Sequence, residues 1–124
     1  MIEKMKTVQK GKTGEKVALE YLKAKGFEIL FTNYRYGHKE IDIIARDNNC
    51  IVFVEVKAGR SKAFGPPAAW VNLRKQRKLA EVATAFMQEH QFPGCDFRFD
   101  VVAIDTSSGQ ELIEHIQNAF YLEG

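Results

Sequence analysis

At 124 residues, with 45% hydrophobic and 11% aromatic side chains, the chain has the size and apolar content of one compact domain with a real core. No apolar run approaches the roughly 20 residues that cross a bilayer, the first twelve residues are charged rather than apolar, and Cys50 and Cys95 stand far apart in no CxxC spacing; a membrane span, a signal peptide, a disulfide scaffold and a zinc site are therefore not expected, and the protein is read as cytoplasmic. The net charge of +2 hides a strong polarity, because residues 1–80 hold 17 of the 18 Lys and Arg with 8 of the 16 acids, a net +9, whereas residues 81–124 hold Arg98 and the other 8 acids, a net −7.

Residues 1–10 are expected to be a loose tail and residues 11–124 a single domain. From Lys12 to Lys25, apolar Val17, Ala18, Tyr21, Leu22 and Ala24 recur at helical spacing, and Gly26 follows as a C-terminal cap. Phe27 to Tyr34, Glu40 to Arg46 and Cys50 to Lys57 are rich in Ile, Val and Phe, are divided by short polar turns, and read as three strands. Ala58 to Pro67 carries two Gly and two Pro and reads as a loop. Ala68 to Gln91 then shows a helical pattern through Trp70, Leu73, Leu79, Val82, Ala83, Phe86 and Met87. Phe97 to Ile104 is a fourth strand, Thr106 to Gly109 a turn, and Glu111 to Phe120 a fifth strand, with a helix open as the alternative there. The order αβββαββ predicts an α/β fold with a central mixed sheet flanked by helices.

The second and third strands are separated by Asp47-Asn48-Asn49-Cys50, which fits a tight hairpin centred on the two Asn. Pairing residue 47 with 50 sets Asp42 opposite Glu55 and Glu40 opposite Lys57. Directly opposed side chains have Cβ atoms roughly 4.5–5.5 Å apart, and like charges there repel. The surrounding strands are apolar on both faces, with Ile41, Ile43, Val54 and Val56 expected on one and Ile44 and Phe53 on the other. Two carboxylates so placed must be protonated, paired with a cation or bound to a metal. One reading is an internal salt-bridge cluster of Glu40, Asp42, Glu55 and Lys57. The other is a divalent-ion site, and hard oxygen ligands without Cys or His favour magnesium or manganese over zinc.

Glu15 lies on the apolar stripe of the first helix with Ala18 and Leu22, so it either reaches over the sheet edge to the same ion or serves as a first-turn Glu favoured by the helix dipole. On the second helix Lys75 or Gln76 could face the site, whereas Arg74, Arg77 and Lys78 read as a basic solvated face. His38, just before the carboxylate strand, is a further candidate. His90 and His115 are scattered, and no HExxH, GxSxG or phosphate-loop spacing occurs. Phe64 and Trp70 border the loop after Lys57, where they could stack on a base, with core packing the alternative for Trp70.

Asp42, twelve residues, then Glu55-Val56-Lys57 on a strand resembles the D…ExK signature of the PD-(D/E)XK nuclease superfamily. Gly11 to Glu15, Ala18, Tyr21-Leu22, Gly26-Phe27, Asn33 to Arg35, Glu40 to Asp42, Phe53 to Lys57, Phe99 to Val102 and His115 to Phe120 resemble the bacterial YraN family over nearly the whole chain. That family is grouped with endonucleases through similarity to archaeal Holliday junction resolvases and restriction enzymes. The resemblance implies a restriction-endonuclease-like core. It implies Asp42, Glu55 and Glu15 as metal-binding and catalytic acids, Lys57 as the catalytic lysine, and Lys75 as a matching lysine of the second helix. The expected activity is metal-dependent phosphodiester cleavage, with Mg2+ or Mn2+ as cofactor and nucleic acid, DNA ahead of RNA, as partner; branched or damaged DNA is an expected substrate, and a homodimer is left open. Arg60, Lys62, Arg74, Lys75, Arg77 and Lys78 are the expected phosphate contacts. Lys39 departs from the family's usual Gly before Glu-Ile-Asp, which keeps a non-catalytic nucleic-acid-binding module open as the alternative. A protein-interaction domain docking through the acidic C-terminal part is a third reading.

Overall fold

The structure, a computed structural model, describes residues 10–60, 71–107 and 109–120. Its elements are α1 (Lys10–Ala24), β1 (Glu28–Tyr36), β2 (Lys39–Asp47), β3 (Cys50–Gly59), α2 (Leu73–Glu89), β4 (Asp96–Asp105) and β5 (Leu112–Phe120). This is the order αβββαββ read from the sequence, and the last element is a strand. The sheet runs β1-β2-β3-β4-β5. Every neighbouring pair is antiparallel except β3–β4, which is parallel. The parallel pair needs a crossover, and the segment carrying α2 supplies it.

Local chemistry sets the boundaries. Gly26, at φ 93°, ends α1, and the Phe27 N–H reaches the Leu22 carbonyl at 3.0 Å, a Schellman closure. Asn72 caps α2 by accepting from the Lys75 N–H at 2.9 Å, so this helix starts at Leu73, later than the pattern from Ala68 suggested. β3 runs on to Gly59 through its ladder with β4, which places Ala58 in a strand rather than a loop. The expected tail before Lys10, residues 61–67 of the expected loop with Lys62 and Phe64, and residues 68–70 at the expected helix start with Trp70 lie outside the described residues.

One apolar cluster lies on each face of the sheet. Leu79, Val82, Ala83 and Phe86 of α2 pack with Ile41, Ile44, Phe53, Phe99 and Val101. Val17, Ala18 and Leu22 of α1 pack with Ile43, Ala45, Val52, Val54, Val102 and Ile104. Each large side chain fully removed from water, such as Phe86, contributes roughly 2–3 kcal/mol. Gly14 lets α1 lie directly on β3, because a Cβ there would come within 2.5 Å of the Ala58 Cβ.

The faces do not alternate as simply as the strand pattern implies. Ile41 belongs to the α2 cluster with Ile44 and Phe53, not to the α1 cluster with Ile43. The cause is local. The pairs Thr32↔Ile43 and Tyr34↔Ile41 bracket Asn33 and Asp42, and Asn33 takes a left-handed φ of 51°. That kink turns Tyr34 and Ile41 to the face already occupied by Phe31 and Ile44; both rings, Phe31 and Tyr34, contact Phe86 edge-on.

Candidate active site

The hairpin register is the expected one from Asp47↔Cys50 to Ile43↔Val54. There the described β2–β3 ladder ends, one residue short of Asp42 and Glu55, while β3 continues along β4. The strands part into a notch, and the Asp42 carboxylate fills it by accepting the Val56 N–H at 2.8 Å. Glu40 and Lys57 consequently do not pair. Lys57 lies instead beside Ala103 in the β3–β4 ladder. Among the described residues the salt-bridge cluster of Glu40, Asp42, Glu55 and Lys57 does not form.

Burial pushes the Asp42 carboxyl up to about 7, with the negative charge of Glu55 the next cause and that of Glu15 a smaller one. The Val56 N–H and the Lys75 ammonium act the other way without cancelling the rise. Glu55 and Lys57 alternate with Val56, which packs on the α1 side, so they face α2. Lys75 comes down from α2 to meet Glu55, Nζ to Oε2 3.3 Å. Gln76 turns elsewhere, donating to the Val71 carbonyl at 2.9 Å.

Glu15 arrives from α1. The Asn33 amide donates to its two oxygens at 3.2 and 3.4 Å and to Glu40 Oε1 at 2.9 Å, and Glu40 also pairs with Arg35 at 3.4 Å. The left-handed turn at Asn33 therefore aims its amide between two carboxylates next to Asp42. In the sequence Asn33 stands out only as part of the stretch Asn33 to Arg35. Its signal was available, since Asn is among the few residues that readily take φ > 0 inside a strand.

Hard oxygen donors suit magnesium or manganese, and magnesium commonly binds through one or two carboxylates while keeping several waters. Asp42 and Glu55 fit that requirement, because a cation would relieve their repulsion. The full three-carboxylate set is not preassembled: among the described residues no group of three or more His, Cys, Asp or Glu side chains is arranged to hold an ion. Asn33 engages Glu15, and Lys75 engages Glu55.

The expected phosphate contacts Arg74, Arg77 and Lys78 are exposed on the first two turns of α2, and Arg60 is exposed at the end of β3. His38 is exposed in the β1–β2 turn. Beside the site, Lys39 pairs with Glu81 of α2. A surface groove of about 530 Å³, lined by Tyr36, Lys39, Ala80, Glu81, Thr84 and Gln88, opens there.

A second polar cluster was not anticipated. Asp100, 1% exposed, accepts from Arg98 Nε at 3.0 Å and the Asn118 N–H at 3.1 Å, and lies 2.7 Å from His115 Nε2. Tyr21 of α1 meets the other His115 nitrogen at 3.2 Å, and Arg98 reaches Asp47 at 3.3 Å. Burial alone would raise the Asp100 carboxyl, but His115 and Arg98 hold it below its ordinary value. An acid one residue into the otherwise apolar run Phe99 to Ile104 was the available signal.

Residues 14–104 match the uncharacterised protein family UPF0102. The chain belongs to that family. A UPF0102 protein of Thermodesulfovibrio yellowstonii is 45% identical over 94% of this chain and its own full length. One from Caldicellulosiruptor saccharolyticus is 45% identical over 89% of this chain and 95% of its own length, and one from Chloroherpeton thalassium is 42% identical over 91% and 89%. Among solved structures, a chain of an EndoMS–dsDNA complex aligns with a TM-score of 0.34 and 18% identity, over 80% of this chain and 48% of that one. In this UPF0102 member α1, β2, β3 and α2 all contribute to the carboxylate notch, and no helix among the described residues is long and apolar enough to cross a membrane.

Proposed function

We propose that this UPF0102 protein is a metal-dependent phosphodiesterase of nucleic acid, an endonuclease-like enzyme acting on DNA, branched or damaged DNA included. The observation that carries this reading is the meeting of Asp42 and Glu55 where the β2–β3 ladder opens, with Lys57 two residues from Glu55 on the same face. Asp42 and Glu55 would hold Mg2+ or Mn2+, with Glu15 as a third carboxylate within electrostatic reach. A divalent ion bound there supplies Lewis acidity toward a phosphate oxygen and a water of lowered pKa. The Val56 N–H fixes the orientation of the Asp42 carboxylate. Lys57 orients the attacking water and offsets negative charge as it accumulates on the phosphate oxygens. Arg60, Lys62, Arg74, Arg77 and Lys78 bind flanking phosphates, which positions the substrate without reading its bases.

A second reading, a nucleic-acid-binding module that does not cut, is favoured by the Lys39–Glu81 pair, which ties the entrance of β2 to α2 beside the site. Cleavage of single-stranded, duplex and branched DNA, measured with magnesium, manganese or chelator, separates the two. Metal-dependent cutting that is lost in Asp42→Asn supports the phosphodiesterase. Salt-sensitive binding with no cutting supports the binding module. An absence of binding at low salt removes both.

A further inference from the structure

The first turns of α2 carry Arg74, Lys75, Arg77 and Lys78 and no acid in the first turn, although the positive end of a helix favours acids there. Asn72 pins this start, since its side chain holds the N–H of Lys75 itself. From that anchored position the Lys75 side chain reaches Glu55, with an asymmetry in exposure: Glu55 is 11% exposed and Lys75 45%. The carboxylate is thus the fixed member of the pair, and the ammonium, on a flexible four-carbon stem at the solvent side, is the movable one. Its positive charge also acts on Asp42, where it partly offsets the repulsion from Glu55 and Glu15.

Building on the proposed phosphodiesterase site, we infer that Lys75 is a resident counter-ion that competes with the divalent cation for Glu55 and is drawn away by a substrate phosphate. In the metal-free protein the ammonium occupies the carboxylate that the cation requires. A cation bound between Asp42 and Glu55 would stand a few ångströms from that ammonium, so the two repel, and both cannot use the same Glu55 oxygen. A phosphate arriving at the start of α2 offers the lysine a second anion. Once Lys75 moves to it, Glu55 is free for the metal. Metal and nucleic acid therefore bind with positive coupling, and each raises the affinity of the other by the same factor. Lys75 is a positioning residue here, acting through Glu55.

The test is Mn2+ binding without nucleic acid, followed by the free-ion paramagnetic resonance signal, for the wild type, Lys75→Met and Lys75→Gln. Removing the competing charge should tighten Mn2+ binding about tenfold in both variants, the size expected for a half-exposed charge a few ångströms away. In the wild type a non-cleavable oligonucleotide should tighten Mn2+ binding, and in both variants that enhancement should disappear. A lysine with a merely structural role would not increase metal affinity on removal. Mn2+ binding to wild type that is unchanged or weakened in both variants overturns the inference and leaves the metal site standing. No Mn2+ binding by any of the three proteins overturns the site and the inference together. Binding by the variants alone supports the inference in its strongest form. Because Lys75 projects from an exposed turn, either variant should fold, and the second guards against an effect peculiar to one substitution.

Discussion

Asp42→Asn in the metal-free protein perturbs the charge at the notch while keeping the shape of the side chain and one oxygen to accept the Val56 N–H. The wild-type carboxyl is raised from its ordinary 3.8 to about 7, by burial first and by Glu55 second. With ~1.4 kcal/mol for each tenfold change in proton affinity, ionising it in the folded protein costs about 4 kcal/mol relative to the unfolded chain. A folded pKa above the unfolded one means that the favourable contribution is complete below about pH 4. It is lost as pH rises to about 7 and changes no further above that. Because burial and the charge of Glu55 together raise the Asp42 carboxyl, the substitution should recover part of the cost, about 2–4 kcal/mol at pH 8, and little or nothing near pH 4. In a domain of this size that is on the order of 10 °C in melting temperature. Paired urea melts in chelator from pH 4 to 8 read the difference directly, and the subtraction cancels the titrating groups that do not interact with Asp42. Millimolar manganese at pH 8 should raise the wild-type melting temperature and leave Asp42→Asn nearly unmoved. An Asp42→Asn protein less stable than wild type at pH 8, with a difference flat across pH, would refute the like-charge argument; a wild type that also ignores manganese would remove the metal site with it.

Lys57→Ala should abolish cleavage while changing DNA affinity less than about threefold, because one cation among many contributes little to overall attraction but stands beside Glu55; anisotropy titration and a cleavage time course read the two effects apart, and cutting at the wild-type rate ends the catalytic role. Asp100→Asn should destabilise the protein by about 3–5 kcal/mol at pH 7, since it removes the buried carboxylate that Arg98 and His115 share and leaves Arg98 with the more exposed Asp47. The lowered Asp100 pKa fixes the sign of its pH dependence: its contribution is present above the unfolded value near 4 and lost as pH falls further, so the gap between wild type and variant in denaturant melts should be wide at pH 7 and narrow progressively below about pH 4. Gly14→Ala should cost about 1–3 kcal/mol in thermal unfolding, because the new methyl would press on Ala58 and lift α1 from β3; wild-type stability would show that α1 does not sit there.

The elements were legible in the sequence because each depends on nearby residues. Periodicity marked α1 and α2, Gly26 ended α1 through a positive φ, and the two Asn of the hairpin determined a register that carries Asp42 toward Glu55. The acids Asp42 and Glu55 also stood out, since charges inside apolar strands are costly and demand a reason. What the sequence by itself could not determine was which partner each charge would take. Strict alternation paired Glu40 with Lys57, but the kink at Asn33 and the parting of β2 from β3 assigned Glu40 to Asn33 and Arg35, Asp42 to a backbone N–H, and Glu55 to Lys75. The Asp100 network likewise joins α1, the end of β2, β4 and β5, residues up to 94 positions apart in the case of Tyr21 and His115. Local propensity and period are written in neighbours along the chain, whereas charge pairing is decided by which elements the packed core brings together, and only the tertiary structure holds that information.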